Sequence, residues 1–179
     1  IPALLAGCAA IVKPSEIASR FVAPLMTAIA TVPNLRDVLT FVEGAGETGA
    51  ALIEYVDLVC FTGSVATGQK VAAAAAKRFI PACLELGGKD PAIVLASANL
   101  ELATSAILWG SVVNTGQSCL SIERVYVAES IFAEFVERLV AKAERLQLAY
   151  PTLESGEIGP IIAERQAAII SDQLLDVID

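Results

Sequence analysis

Short apolar runs alternate with longer stretches of helical period along most of this chain. Residues 9–13 (AAIVK) form a brief continuous apolar run, the pattern of a parallel strand buried on both faces. Pro14-Ser15-Glu16 follows, and the spacing predicts a helix from there to about residue 30. A second strand is expected at 37–43 (DVLTFVE), a glycine turn at 44–46, and a helix over about 48–53. A third strand at 56–62 (VDLVCFT) leads to Ser64, a fitting N-cap for a helix over 65–78 that carries five consecutive alanines. Strand–helix alternation of this kind implies a parallel sheet with right-handed crossovers.

The second half repeats the theme with wider spacing. After 81–88 (PACLELGG), a strand is expected at 92–96, a helix over about 99–113, a polar loop at 114–118 and a strand at 124–128. Ser130 is expected to cap a helix that places Phe132, Phe135, Val136, Leu139 and Val140 on one face. A loop at 151–160 precedes a last helix from about residue 163. Ile1-Pro2-Ala3-Leu4-Leu5 reads as the tail of a helix, and the last helix reaches Asp179 with no Gly or Pro stop. Both ends are expected to cut through a larger fold. The expected class is α/β: a Rossmann-like parallel sheet over residues 1–86, then the start of a second α/β domain over 87–179, both incomplete.

Composition narrows the partners. Hydrophobic residues make up 55% and charged residues 18%, which excludes disordered and low-complexity classes. At a net charge of −8 no basic patch dominates, so neither nucleic acid nor an anionic membrane is an expected partner. Residues 102–122 lack charge, but the Thr, Ser, Asn, Gln and Gly among them are too polar for a membrane span. Histidine is absent, which removes Ser-His, Cys-His and His-metal chemistry from the chain itself, and no metal site is expected. Cys8, Cys60, Cys83 and Cys119 are scattered through an apolar chain without a CxxC motif, which reads as reduced thiols of a cytoplasmic protein. No basic leader opens the sequence.

Four places carry candidate chemistry. Residues 61–68 (FTGSVATG) run from a strand end through a glycine turn into a helix, a geometry that suits a phosphate but equally an ordinary capped helix. Lys13 and Glu16 lie at the carboxyl edge of the first strand, where ligands of open α/β sheets bind, although Glu16 also fits a helix-start acid that offsets the dipole. Glu85 stands between Leu84 and Leu86 and before Gly87-Gly88, where burial would raise its pKa toward that of a general base; pairing with Lys89 is the plainer reading. Cys119 ends the polar loop Asn114-Thr115-Gly116-Gln117-Ser118 and is the candidate nucleophile, whereas Cys8, Cys60 and Cys83 sit in apolar runs as expected core thiols.

Taken together, Lys13-Pro14-Ser15-Glu16, Phe61-Thr62-Gly63-Ser64, Leu84-Glu85-Leu86-Gly87-Gly88-Lys89 and Asn114-Thr115-Gly116-Gln117-Ser118-Cys119 resemble the motifs of the NAD(P)-dependent aldehyde dehydrogenase superfamily, in order and in separation. The resemblance implies a middle segment of such a chain. It implies Cys119 as the nucleophile that forms a hemithioacetal and then a thioester, with its own amide as one oxyanion donor, and Glu85 as the base that activates water. It implies Lys13 and Glu16 at the adenosine ribose, Gly46 beside the adenine, and Gly63, Ser64, Thr67 and Gly68 at the pyrophosphate, with Leu86 and Gly87 also on the cofactor.

The expected cofactor is NAD, with NADP possible because Lys13 offsets the charge of Glu16. The expected partner is a small-molecule aldehyde, and the full-length protein is expected to be a homo-oligomer. The family's upstream Asn motif and its downstream Glu-x-Phe-Gly-Pro segment are missing, and Cys8 stands where the family often has Asn. Two competing expectations follow. One is a truncated, non-catalytic chain that keeps nucleotide affinity. The other is a CoA-acylating aldehyde dehydrogenase, which Glu85 argues against.

Overall fold

The structure, a computed structural model, describes residues 1–178. The chain divides into two compact units after Glu85. In the first, a short helix α1 (Pro2–Leu5) leads to β1 (Ala10–Val12), which pairs in parallel with β2 (Leu39–Phe41) in the register Ala10↔Leu39, Ile11↔Thr40, Val12↔Phe41. Between them lie α2 (Val22–Ala30) and α3 (Pro33–Arg36). Then come α4 (Gly46–Leu52), β3 (Val59–Gly63), α5 (Val65–Lys77) and β4 (Ala82–Leu86), with β3 hydrogen-bonded to β4 in a second two-stranded sheet. Val22, Ile53 and Ala75 are its buried apolar side chains. The buried alanine belongs to the run of five, whose small side chains let α5 lie close to its neighbours.

The second unit holds β5 (Asp90–Val94), α6 (Leu100–Val112), β6 (Ile122–Val127), α7 (Phe132–Ala143) and α8 (Glu164–Ile178). β5 and β6 pair in parallel from Pro91↔Arg124 to Val94↔Val127, with a register shift at Asp90/Pro91. Proline has no N–H to give a ladder, so a shift at Pro91 is where a strand tolerates one. Val94, Ile107 and Phe135 form the core, with Leu100, Ile122, Val125, Val127 and Leu139 packed against it. Asn99 caps α6 by accepting from the Leu102 amide, at the start of the helix expected over about 99–113. The α/β class with short parallel strands agrees with an incomplete Rossmann-like sheet.

Several local expectations fail for identifiable reasons. The helix expected from Pro14 begins only at Val22. Pro24 is tolerated in the first turn of a helix but not in its interior, and an earlier start would have put it there. Residues 14–18 instead make a turn in which Ser15 Oγ accepts from the Ile17 amide. The second strand is trimmed to Leu39–Phe41 because Pro33 opens the short helix α3 just before it. Residues 82–86, read only as a motif, form a strand. Ser130 is no cap: it lies inside a 3-10 turn, Glu129–Ile131, and Ile131 stands at the N-cap of α7 without a side-chain bond. Of the face expected on that helix, Phe135 is buried and Leu139 half-buried, while Phe132, Val136 and Val140 are exposed. Cys8, Cys60 and Cys83 are exposed rather than core thiols: the neighbours of Cys60 and Cys83 on their strands point inward instead, and Cys8 lies in the exposed link before β1.

Candidate functional site

One cavity of about 510 Å³ in the first unit runs from Lys13 at the carboxyl end of β1 along α4 to the first three residues of β3 and the 67–74 stretch of α5. Lys13, Gly46, Gly49, Cys60, Phe61, Thr67 and Lys70 all contribute to its wall. Lys13 follows β1 directly, and its half-buried side chain is held in place. Nζ donates to the carbonyls of Pro14 (2.6 Å) and Gly44 (2.8 Å) and lies 3.4 Å from Glu16 Oε2. Gly44 adopts a φ of +151°, and a side chain there would collide with Thr48, so only glycine lets this carbonyl face the lysine. Glu16 stands 59% exposed on the turn, and no helix begins there, so the dipole reading is removed. A backbone N–H within the residue, and then the Lys13 ammonium, hold its carboxyl below the usual range. Glu16 is thus firmly anionic at neutral pH.

The β3–α5 turn leads into α5, whose Thr67 lines the same cavity. Gly63 ends β3 where a Cβ would run into the Phe61 ring. Ser64 caps α5: its Oγ accepts from the Thr67 amide and donates to Thr67 Oγ1. The first amides of the helix, on Val65 and Ala66, precede any intrahelical partner and point outward with the positive end of the dipole. Gly68 is buried and gives its amide to Ser64 O at 2.8 Å, so its N–H is spent within the helix. The amides of the motif left without an intrahelical partner are therefore those at the start of α5, not that of Gly68. Lys70 was missed in the sequence, although its position one turn beyond Thr67 on α5 places it on the same side of the helix.

Glu85 lies on β4, the last residue of the first unit, and is exposed. The desolvation expected from its leucine neighbours is absent, because strand alternation turns Leu84 and Leu86 to the opposite face. Its alternative partner is also gone: Lys89 pairs with Glu123 at 2.8 Å. Leu86 closes β4, and Gly87 is exposed in the loop beyond it, with open space where a Cβ would stand.

Cys119 belongs to the second unit and is exposed. The chain reaches it through three successive left-handed residues, Asn114 (φ 53°), Thr115 (φ 61°) and Gly116 (φ 68°). For a β-branched threonine this conformation is strained and must be over-determined by its surroundings. Those surroundings are explicit. Asn114 Nδ2 donates to Gln117 O, and Gln117 Nε2 donates back to Asn114 O and on to Pro160 O. Gln117 Oε1 accepts from the Ile162 amide at 2.8 Å, which joins the loop to the segment before α8. Buried Ser121 donates to Gly116 O, and Ser111 bridges Ile107 O and Ile122 O. Neither serine stood out in the sequence, where isolated hydroxyls give no signal.

A model of the aldehyde dehydrogenase family matches residues 1–178. Aminoaldehyde dehydrogenase 1, peroxisomal, of Pisum sativum is 43% identical over 168 residues, covering 92% of this chain and 33% of that protein. The 4,4'-diapolycopene aldehyde oxidase of Methylomonas sp is 40% identical over 179 residues, 99% of this chain and 33% of that protein. PutA of Anabaena variabilis, which carries an aldehyde dehydrogenase assignment, superposes with a TM-score of 0.94 at 78% identity over 98% of this chain and 38% of that one. Betaine aldehyde dehydrogenase of Staphylococcus aureus, solved in complex with NAD+, superposes with a TM-score of 0.89 at 31% identity over 97% of this chain and 35% of that one. The chain thus spans about a third of the length of the curated relatives it matches. Among the described residues, no helix is long and apolar enough to cross a membrane.

Proposed function

The chain belongs to the aldehyde dehydrogenase family, and from that premise we propose that it carries the cofactor cradle and the nucleophile for NAD(P)-dependent oxidation of an aldehyde to a carboxylic acid. The observation that carries this reading is the cavity in which Lys13, Gly46 and Thr67 meet beside the Ser64-capped start of α5. Its residues fit a dinucleotide. The anionic Glu16 and the lysine would accept from and donate to ribose hydroxyls, Gly46 leaves room for a flat base, and the amides of Val65 and Ala66 would hold a pyrophosphate. Residues 1–86 form the cofactor-binding part in this proposal and residues 87–179 the catalytic part, with Leu86 and Gly87 at their junction.

Cys119 Sγ attacks the aldehyde carbon, and the oxygen that becomes negative is met by the Cys119 amide. Bound NAD(P) would supply the hydride acceptor, and the hemithioacetal carbon held by Cys119 would give up its hydride to become the thioester. Glu85 takes a proton from the water that attacks this thioester, releasing the acid and the free thiol. Keeping Glu85 favours water over CoA as the acyl acceptor. The acidic Glu16 disfavours the 2′-phosphate of NADP through like charge, so NAD is the preferred cofactor.

Equilibrium dialysis of the 179-residue chain with NAD and NADP tests the cradle. NAD is expected to bind more tightly, and Glu16→Gln to narrow the difference. Tighter binding of NADP to the unsubstituted chain would refute the assignment of Glu16. Mass mapping after incubation with NAD and a simple aldehyde tests the nucleophile, with the acyl adduct expected on Cys119. NAD binding without an adduct would select the non-catalytic alternative, and acyl transfer to CoA in preference to water would select the acylating one.

A further inference from the structure

Cys60 and Cys83 occupy matched positions on neighbouring strands. The Val59 amide donates to Pro81 O at 3.0 Å. In the β1–β2 ladder the corresponding bond, from the Ala10 amide to Val38 O, goes with the pairing Ala10↔Leu39: the donor residue faces the residue after the acceptor. β3 and β4 are joined by the helical crossover α5 and run in the same direction. The same rule sets Val59 opposite Ala82, and therefore Cys60 opposite Cys83. Side chains at paired positions share one face of a sheet. The burial agrees: Val59, Phe61, Ala82 and Leu84 are half-buried on one face, while Cys60, Thr62, Cys83 and Glu85 are exposed on the other. Neighbouring strands lie about 4.7–4.9 Å apart, inside the range of about 4.4–6.8 Å that two Cα atoms need for a disulfide.

We propose that Cys60 and Cys83 are a reversible redox pair that closes a cross-strand disulfide on reaction with a peroxide. One thiolate attacks a peroxide oxygen, the O–O bond breaks, and the sulfur becomes a sulfenic acid with release of one water. The second thiol displaces the sulfenic oxygen as a second water and forms the S–S bond. The two thiols lose two electrons and two protons, and hydrogen peroxide is reduced to two waters. A dithiol reductant reverses the reaction. The thiols also sense one another: burial, and then Cys83 through its charge and a hydrogen bond, push the Cys60 thiol above the usual range. Cys60 lines the cavity with Lys13 and Thr67, and Cys83 stands two residues before Glu85, so the bridge would tie together the two strands that carry the proposed cofactor turn and base.

The test uses the 179-residue chain and does not depend on any activity. The chain is treated with hydrogen peroxide, its remaining thiols are blocked with N-ethylmaleimide, and tryptic peptides are mapped without reduction. A linked species joining residues 37–70 to residues 79–89, about 2 Da lighter than the two free-thiol peptides, is expected from monomeric chain. It should disappear after dithiothreitol and be absent from Cys60→Ser and Cys83→Ser. Single oxidation of either residue without the link, a bridge to Cys8 or Cys119 in its place, or a link found only in disulfide-joined dimers would each overturn the proposal. The result on the unsubstituted chain decides the matter even if a variant folds poorly.

Discussion

Thr115 holds a left-handed backbone that costs an ordinary L-residue about 1–2 kcal/mol, more readily borne by asparagine. The hydrogen bonds of Asn114, Gln117 and Ser121 keep it there, one residue from Gly116 and four before Cys119. Thr115→Asn is expected to raise the free energy of unfolding by about 1 kcal/mol, read as the urea midpoint by circular dichroism. An unchanged or lowered midpoint would show that the loop carries no such strain. The bracing explains why a loop between a helix and a strand holds one shape. Gln117 makes two bonds to the segment before α8, at Pro160 and Ile162, so an exposed cysteine is presented at a fixed place instead of on a floppy tether.

Helices α6 and α7 are joined at their polar edges by Lys142. Its Nζ donates to Glu101 Oε1 (2.8 Å), Glu101 O (2.9 Å) and Ser105 Oγ (2.7 Å), and Arg138 approaches the same carboxylate at 3.8 Å. The Lys142 hydrogen bond, followed by its charge, holds the Glu101 carboxyl below its ordinary value of 4.5. A carboxyl depressed by folding stabilises the native state above its unfolded pKa, and the benefit is lost as pH falls through the folded value. Glu101→Gln is therefore expected to lower the denaturation midpoint modestly at pH 7 and to match the unsubstituted chain near pH 3. Added salt should shrink the difference, because the carboxylate is exposed. A gap that persists at low pH would show that Glu101 acts through packing and not through charge.

The apolar side chains that remain exposed are unusually many and large. Phe79 is 97% exposed, Ile93 73% and Trp109 67%, and Tyr126 stands on the uncovered side of the β5–β6 sheet with Ile93. Each two-stranded sheet also keeps free edges. Exposed apolar faces and unpaired edges are drivers of association. The isolated 179-residue chain is expected to sediment above its 18.6 kDa monomer mass in dilute buffer. A monodisperse monomer across a hundredfold concentration range would refute this expectation.

Local pattern alone carried the α/β alternation, the strands near 10–12, 39–41 and 59–63, the Ser64 cap, the start of α6 near Asn99, and the family motifs around Lys13, Ser64, Glu85 and Cys119. These are legible because short apolar runs, caps and glycine turns act locally. Tertiary structure decided which face each residue shows. An apolar run does not say which of its alternating positions turns inward, so Cys60, Cys83 and Glu85 read as buried and stand exposed. It also decided partners: Lys89 lies four residues from Glu85 yet bonds Glu123, because the β5–β6 ladder brings distant residues closer than chain neighbours. The left-handed turn before Cys119 was beyond local reading for the same reason, since the contacts that hold it come from residues up to 45 positions away.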